Sequence, residues 1–339
     1  MDGPFIETLA DLEAVIGKTP PQMYLKDIDH LDPGALGWIA QSPLMFATFG
    51  GDRGPAVTLA GGHAGFASGA GQDLRLPLAS IDDPDLARPG QPFGSLFLLP
   101  GIGETLRVNG RVRAVADGHV HVAVAECYGH CAKAMIRSEL WSAQPVAAPE
   151  ALSDFVAASR FLALATVSRT GLADLSPKGD PAGAMARLDD GEAAAVWFAD
   201  RPGNRRVDSF RNIVEQPALA MALLVPGSTR LAVVRGRAVL STAEAQRGGF
   251  AVKGKVPALA IRVAAESVSL RTSAALERAD LWPLRQCSDI DPARLFVNHI
   301  KLNRTEGMAA RLTRASLSVP GAADLMKKGL AKDYKDNLY

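Results

Sequence analysis

Residues 200–213, DRPGNRRVDSFRNI, hold the densest chemistry in the chain. A strand-like run, AAVWFA, leads into a turn at Pro202-Gly203. Asn204 is a good helix N-cap, and Val207, Phe210, Ile213 and Val214 follow at helical spacing. Arg205 and Arg206 then fall in a helix's first turn, where the macrodipole is already positive. An anion resolves that conflict, because free backbone N–H groups and two guanidinium groups together suit a phosphate. A solvated basic turn screened by salt is the alternative reading of the same residues. A second cluster, Cys127, His130 and Cys131 with His119 and His121 nearby, lacks zinc-finger spacing and a second cysteine pair. It reads as a buried strand end, and no metal ligands are assigned.

The elements around these residues repeat. SPLMFATFGGDRGPAVTLAGGH (residues 42–63) resembles SRFLALATVSRTGLADLSPKGD (residues 159–180). LLPGIGETLRVNGRVRAV (98–115) resembles LVPGSTRLAVVRGRAVL (224–240), with Gly110-Arg111 aligned on Gly236-Arg237. Both halves close on Leu-Trp, at Trp141 and Trp282. Short Val, Ala, Leu and Thr runs between Gly/Pro turns imply two copies of one small barrel. The predicted fold is mainly β with flanking helices (α+β), two tandem barrels packed as an intramolecular pseudo-dimer, and a helical extension. The expected domains are 1–148 with two leading helices (5–17 and 32–41), 149–284, and the extension 285–339.

The copies differ in a complementary way. The first has LAGGH (59–63) where the second has SPKGD (176–180), and ARPGQP where the second has the arginine pair. The first ends CAKAMIRSELW, with Lys133, Arg137 and Ser138, whereas the second ends SLRTSAALERADLW without that cluster. Each half keeps what the other has lost.

Composition narrows the classes. At 339 residues two domains are the soft prior. Lys plus Arg total 37 and Asp plus Glu 36, a balance that argues against a nucleic-acid footprint. Three cysteines make no disulfide framework and fit a reducing compartment. The acidic N-terminal stretch and the lack of a long apolar run argue against a signal peptide or membrane span. A cytoplasmic protein is expected.

The ordered set SPKGDPAG, DRPGNRRVDSFRNI, LLVPG, VRGRA and VKGKVPALAI resembles the pyridoxamine 5′-phosphate oxidase-like, FMN-binding split-barrel family, and CAKA-x-x-RS-x-LW resembles its C-terminal signature. The resemblance implies two-fold barrels with FMN between protomers, here a fused dimer with one surviving site. It assigns Ser176, Lys178, Gly179 and Asp180 near the flavin ring, with Thr105 a further candidate for the ring edge. It assigns Asn204, Arg205, Arg206 and Ser209 to the phosphate, and Lys133, Arg137 and Ser138 from the other half. The implied activity is an FMN-dependent oxidoreductase acting on a small organic substrate, with NAD(P)H or oxygen as redox partner and no catalytic residue assigned. Alternatives are a non-catalytic haem-handling or deazaflavin-binding module, and pyridoxamine phosphate oxidation itself. Such a pseudo-dimer is expected as a monomer or a homodimer.

Overall fold

Two antiparallel sheets carry one strand order written twice. The computed structural model describes residues 5–51, 54–189, 194–203 and 206–339. Its strands are β1 (Phe5–Ile6), β2 (Leu44–Gly51), β3 (Gly54–Gly61), β4 (Ser68–Ala70), β5 (Asp73–Pro77), β6 (Pro92–Leu98), β7 (Thr105–Ala116) and β8 (His119–His130). They continue with β9 (Phe161–Val167), β10 (Ala173–Gly179), β11 (Ala186–Asp189), β12 (Ala195–Ala199), β13 (Ala218–Leu224), β14 (Arg230–Ser241) and β15 (Ala260–Thr272). The helices are α1 (Leu9–Ile16), α2 (Pro33–Gln41), α3 (Lys133–Arg137), α4 (Leu152–Ala158), α5 (Asp208–Glu215) and α6 (Glu244–Gly248). After these come α7 (Ala274–Ala279), α8 (Pro292–Leu302), α9 (Met308–Ser316) and α10 (Ala322–Asp336).

The first sheet runs β3-β2-β6-β7-β8-β5-β4, and the second runs β10-β9-β13-β14-β15-β12-β11. Element for element the orders are the same, so the sequence repeat is a repeat of fold. The shared Gly-Arg motif has a local cause. Register shifts fall between Asn109 and Gly110 and between Arg235 and Gly236. A Cβ at Gly110 would lie 2.0 Å from the Ala123 carbonyl oxygen, and one at Gly236 would lie 2.0 Å from that of Ala264. Each long strand bends at its bulge, and only glycine fits the close approach.

Strand β2 shows why these strands read as continuous apolar runs. Met45, Ala47 and Phe49 face the first sheet's own core, while Leu44 and Phe46 face a core shared by both sheets. The period of two therefore buries both faces. The shared core adds Val57, Leu59 and Leu96 from one half and Phe161, Leu175 and Leu224 from the other. Trp141 and Trp282 lie at this seam, their indole N–H groups donating to Ile102 and Leu140 carbonyls.

Several expectations are corrected. Residues 5–6 form a strand paired with β14, and α1 places Leu12 in the second sheet's core, so the first leading helix does not join the N-terminal barrel. The helix expected from Asn204 starts at Asp208, with Val207 in the cap position and no side-chain cap. Arg206 therefore precedes the helix, and the first-turn charge is the acidic Asp208, which agrees with the dipole. The β2–β3 and β9–β10 hairpins differ in loop length. Gly61 pairs with Leu44 as Gly179 pairs with Phe161, so Gly61 and Gly179 are counterparts and the sequence pairing of residues 59–63 with 176–180 is one residue out of step.

Candidate functional site

The seam between the halves opens into a cleft of about 670 Å³. Strand β10 delivers Ser176, Lys178 and Gly179 to it, and Asp180 follows at the strand's end. Helix α3 of the first half delivers Lys133 and Arg137 from the opposite side. Arg201 and Arg206 come from the segment between β12 and α5, and Lys255 to Ala258 come from the connection before β15. That connection is the end of the basic RGGFAVKGK run and the residues just after it, so the run borders the cleft.

Glycine at 179 makes the approach possible. A Cβ there would lie 1.9 Å from the Ala134 carbonyl oxygen, so α3 rests directly on the strand backbone. Lys133 Nζ is 2.9 Å from Asp333, and Arg137 donates to the carbonyls of Pro202 and Leu338. Lys178 Nζ lies 4.2 Å from the Phe210 ring centroid and 3.5 Å from Asp200. Asp180 accepts from Arg201 Nε at 2.6 Å through Oδ2, while its buried Oδ1 has no partner among the described residues. Burial raises the Asp180 carboxyl against the pull of Arg201.

Four candidates are placed differently from expectation. Ser209 is buried with its hydroxyl on Asp174 and Ser176, behind the cleft wall. Ser138 is buried and donates to the Met135 carbonyl at the end of α3. Thr105 is fully buried at the start of β7, away from the cleft lining, and its hydroxyl has no partner among the described residues. Arg206 lines the cleft, but its guanidinium is gripped by Asp27 and Asp208 at 2.6–2.8 Å and lies 4.0 Å from the Tyr128 ring. Asn204 and Arg205 lie outside the described residues.

Behind β10 is a buried network that sequence reading missed. Arg107, 1% exposed, crosses from β7 to Asp174 and Ser176 of the second half and to the Tyr128 hydroxyl. A signal was available: the gapless alignment through Gly110 and Gly236 sets Arg107 against Val233, a charge in place of an apolar residue. Lys26, also missed, donates to the Gly129 carbonyl at 2.7 Å beneath the rings of Tyr128 and Phe296. Burial, with Arg206 and Arg107 adding to it, lowers its amine to about 8. A base whose folded value lies below its unfolded one binds fewer protons when folded, so stability rises between pH 8 and about 10. Urea melts across that range should show this gain in the wild type and lose it in Lys26→Met; equal slopes would refute it.

The pseudo-equivalent corner is filled. Residues 80–83 of the first half enter it: Asp82 accepts from Ser273 and from the Ala275 N–H, and Asp83 accepts from Thr58 and Arg271. The second half had been expected to lack the α3 cluster, and here a correction is needed. Counting from the closing Leu-Trp, Arg278 is the counterpart of Arg137, and it donates to the Gly61 and Ser80 carbonyls. What this corner lacks is the lysine and the serine of the cluster, replaced by Ala274 and Ala279.

Paired antiparallel sheets of one strand order, with a cationic cleft at their seam, define a tandem split-barrel fold. Residues 148–274 match the family model described as pyridoxamine 5′-phosphate oxidase. The second half matches that family model, and the first half repeats its strand order. No curated protein matches. Among solved structures, the chain is similar to a single-site variant of HupZ from Group A Streptococcus, at 17% identity and TM-score 0.29, covering 37% of this chain and 100% of that one. It is similar to an F420 reductase at 18% identity and TM-score 0.26, covering 36% and 98%. It is also similar to a general stress protein 26-related protein of Clostridium acetobutylicum, at 12% identity and TM-score 0.25, covering 34% and 80%. Each of these spans about one barrel. Among the described residues no helix is long and apolar enough to cross a membrane.

Proposed function

We propose that the chain is an FMN-dependent oxidoreductase acting on a small organic molecule, with one FMN held in the seam cleft. The observation that carries this reading is the charge of the cleft. Six cations from both halves line it (Lys133, Arg137, Lys178, Arg201, Arg206 and Lys255), against three carboxylates (Asp180, Asp200 and Asp333). A phosphate-bearing cofactor suits that excess. The unpartnered Oδ1 of Asp180 suits an N–H donor such as a flavin ring presents. Gly179 supports the fit by letting α3 bring its cations close.

When bound, the flavin supplies the hydride chemistry. Arg206, with Arg205 and Asn204 by resemblance, would hold the phosphate end. Arg206, fixed by its two carboxylates, contributes field more than free donors. Lys178, which lines the cleft, would favour the reduced, anionic ring as a nearby cation. The two Asp180 oxygens divide their work, one fixing Arg201 and the other accepting from the ligand. NAD(P)H or oxygen completes the redox cycle, and an internal pseudo-dimer of this kind is competent as a monomer. A deazaflavin offers the same ring edge and phosphate, and pyridoxamine phosphate oxidation is a further activity of such a cleft.

A haem reading draws on one observation. His130 lines the cleft, and burial together with Arg107 and Lys26 holds its imidazole well below the usual range, hence neutral and able to ligate iron. Absorbance of the purified chain, with heat-released cofactor counted, separates the readings. One FMN per chain is expected. Two per chain would sink the single-site argument, and a Soret band would move the function to haem.

A further inference from the structure

The C-terminal segment ends inside the cleft. The ring of Tyr339 lies 5.5 Å from the Arg137 guanidinium, 5.8 Å from that of Arg201 and 5.4 Å from Lys253 Nζ. Its carbonyl oxygen accepts from Lys255 Nζ at 2.6 Å, and the Leu338 carbonyl accepts from Arg137 at 2.7 Å. Four cations thus converge on one aromatic ring and two main-chain oxygens, and of the four only Arg201 is ion-paired among the described residues, with Asp180. Like charges held together repel, and Asp180 offsets only Arg201, so the corner keeps a positive excess that suits a carboxylate. Helix α10 packs along α8, and its last residues reach this corner through polar anchors. Helix α10 buries Ala322 but leaves Leu325 exposed, and its anchors are polar: Asp333 on Lys133, and the Tyr334 hydroxyl on Glu104 and the Ala132 N–H.

We infer that Tyr339 occupies a substrate subsite from within, that the subsite takes an aromatic ring carrying a carboxylate, and that residues 333–339 leave when such a substrate enters. The inference deepens the proposed function, since it assigns the rest of the cleft to the cofactor. The ring replaces Tyr339 among the guanidinium groups, and the carboxylate takes the place of the main-chain oxygens of Leu338 and Tyr339 at Arg137 and Lys255. Displacement needs few buried contacts to break, so the segment acts as a competitor whose closed population lowers apparent affinity.

The test uses the full chain as purified and phenylacetate as probe, with uncharged phenylacetamide as control. Calorimetry should give about tenfold tighter phenylacetate binding in Asp333→Ala/Tyr339→Ala than in wild type, the factor expected if the closed form dominates by about ten to one. The amide should gain nothing. In wild type, phenylacetate should speed hydrogen exchange of residues 333–339. Equal affinities in the two proteins, or exchange that phenylacetate leaves unchanged, overturn the inference. FMN titrations run alongside keep the readings apart. Flavin bound without the phenylacetate response rejects the subsite alone, whereas the phenylacetate response without flavin binding rejects the cofactor reading alone.

Discussion

Asp174→Ala is expected to cost about 3–5 kcal/mol of stability, the usual loss when one partner of a buried ion pair is removed. Asp174 Oδ1 receives Arg107 at 2.5 Å, and its Oδ2 accepts from Ser176 and Ser209 at 2.9 and 2.6 Å. Three donors lose their acceptor at once. The guanidinium, 1% exposed, keeps only Tyr128 and Ser176 and has no route to water. The pair also joins the halves, since Arg107 stands on β7 and Asp174 on β10. The loss should therefore appear as a lower urea midpoint with the slope retained, both barrels shifting together. An Arg107→Met/Asp174→Leu double variant should recover most of it, because apolar side chains of similar size need no partner. A single variant costing under about 1 kcal/mol would mean that water reaches the network, contrary to the burial seen.

The repeat made the architecture legible, because turns, bulge glycines and closing Leu-Trp pairs survive when other residues drift. The helix opening at Asp32-Pro33 was legible for a local reason: the aspartate caps its own helix. The start of α5 was not. Asn204 has cap chemistry, but the ion pairs of Arg206 with Asp27 and Asp208 are tertiary, and Asp27 is far away in sequence. The hairpin register slipped by one because loop length, which sets it, is invisible to an ungapped comparison. Lys178, Gly179, Asp180, Lys133 and Arg137 were chosen through family resemblance, and the fold brings them to one cleft. Thr105, Ser138 and Ser209 came from the same motifs but face inward, since a motif fixes neighbours along the chain and not which side of a strand or helix meets the cavity. The strand at residues 5–6 and the seat of Tyr339 had no local signal. Both depend on contacts with strands and loops more than 80 residues away.

Gly179→Ala is expected to abolish cofactor binding outright. Its Cβ would stand 1.9 Å from the Ala134 carbonyl oxygen, 2.7 Å from that carbonyl carbon and 3.0 Å from its Cα. All three are backbone atoms, so no rotamer change relieves the clash, and α3 must move. Lys133 and Arg137 move with it, and the cleft loses the cations of one whole half. Overpacking of this kind costs typically about 1–3 kcal/mol, so the variant should fold yet bind no FMN in a fluorescence titration. Gly61→Ala makes the decisive comparison. Its Cβ would meet the Ala275 carbonyl oxygen at 2.7 Å and Pro43's at 3.0 Å, the same kind of clash at the filled corner. That variant should lose similar stability and keep its cofactor. Gly248→Ala, with open space around it, should change neither. If Gly61→Ala and Gly179→Ala lost cofactor alike, the two corners would be functionally equivalent and the single-site reading would fail. If Gly179→Ala bound FMN like wild type, the close seating of α3 on β10 would not be what builds the site.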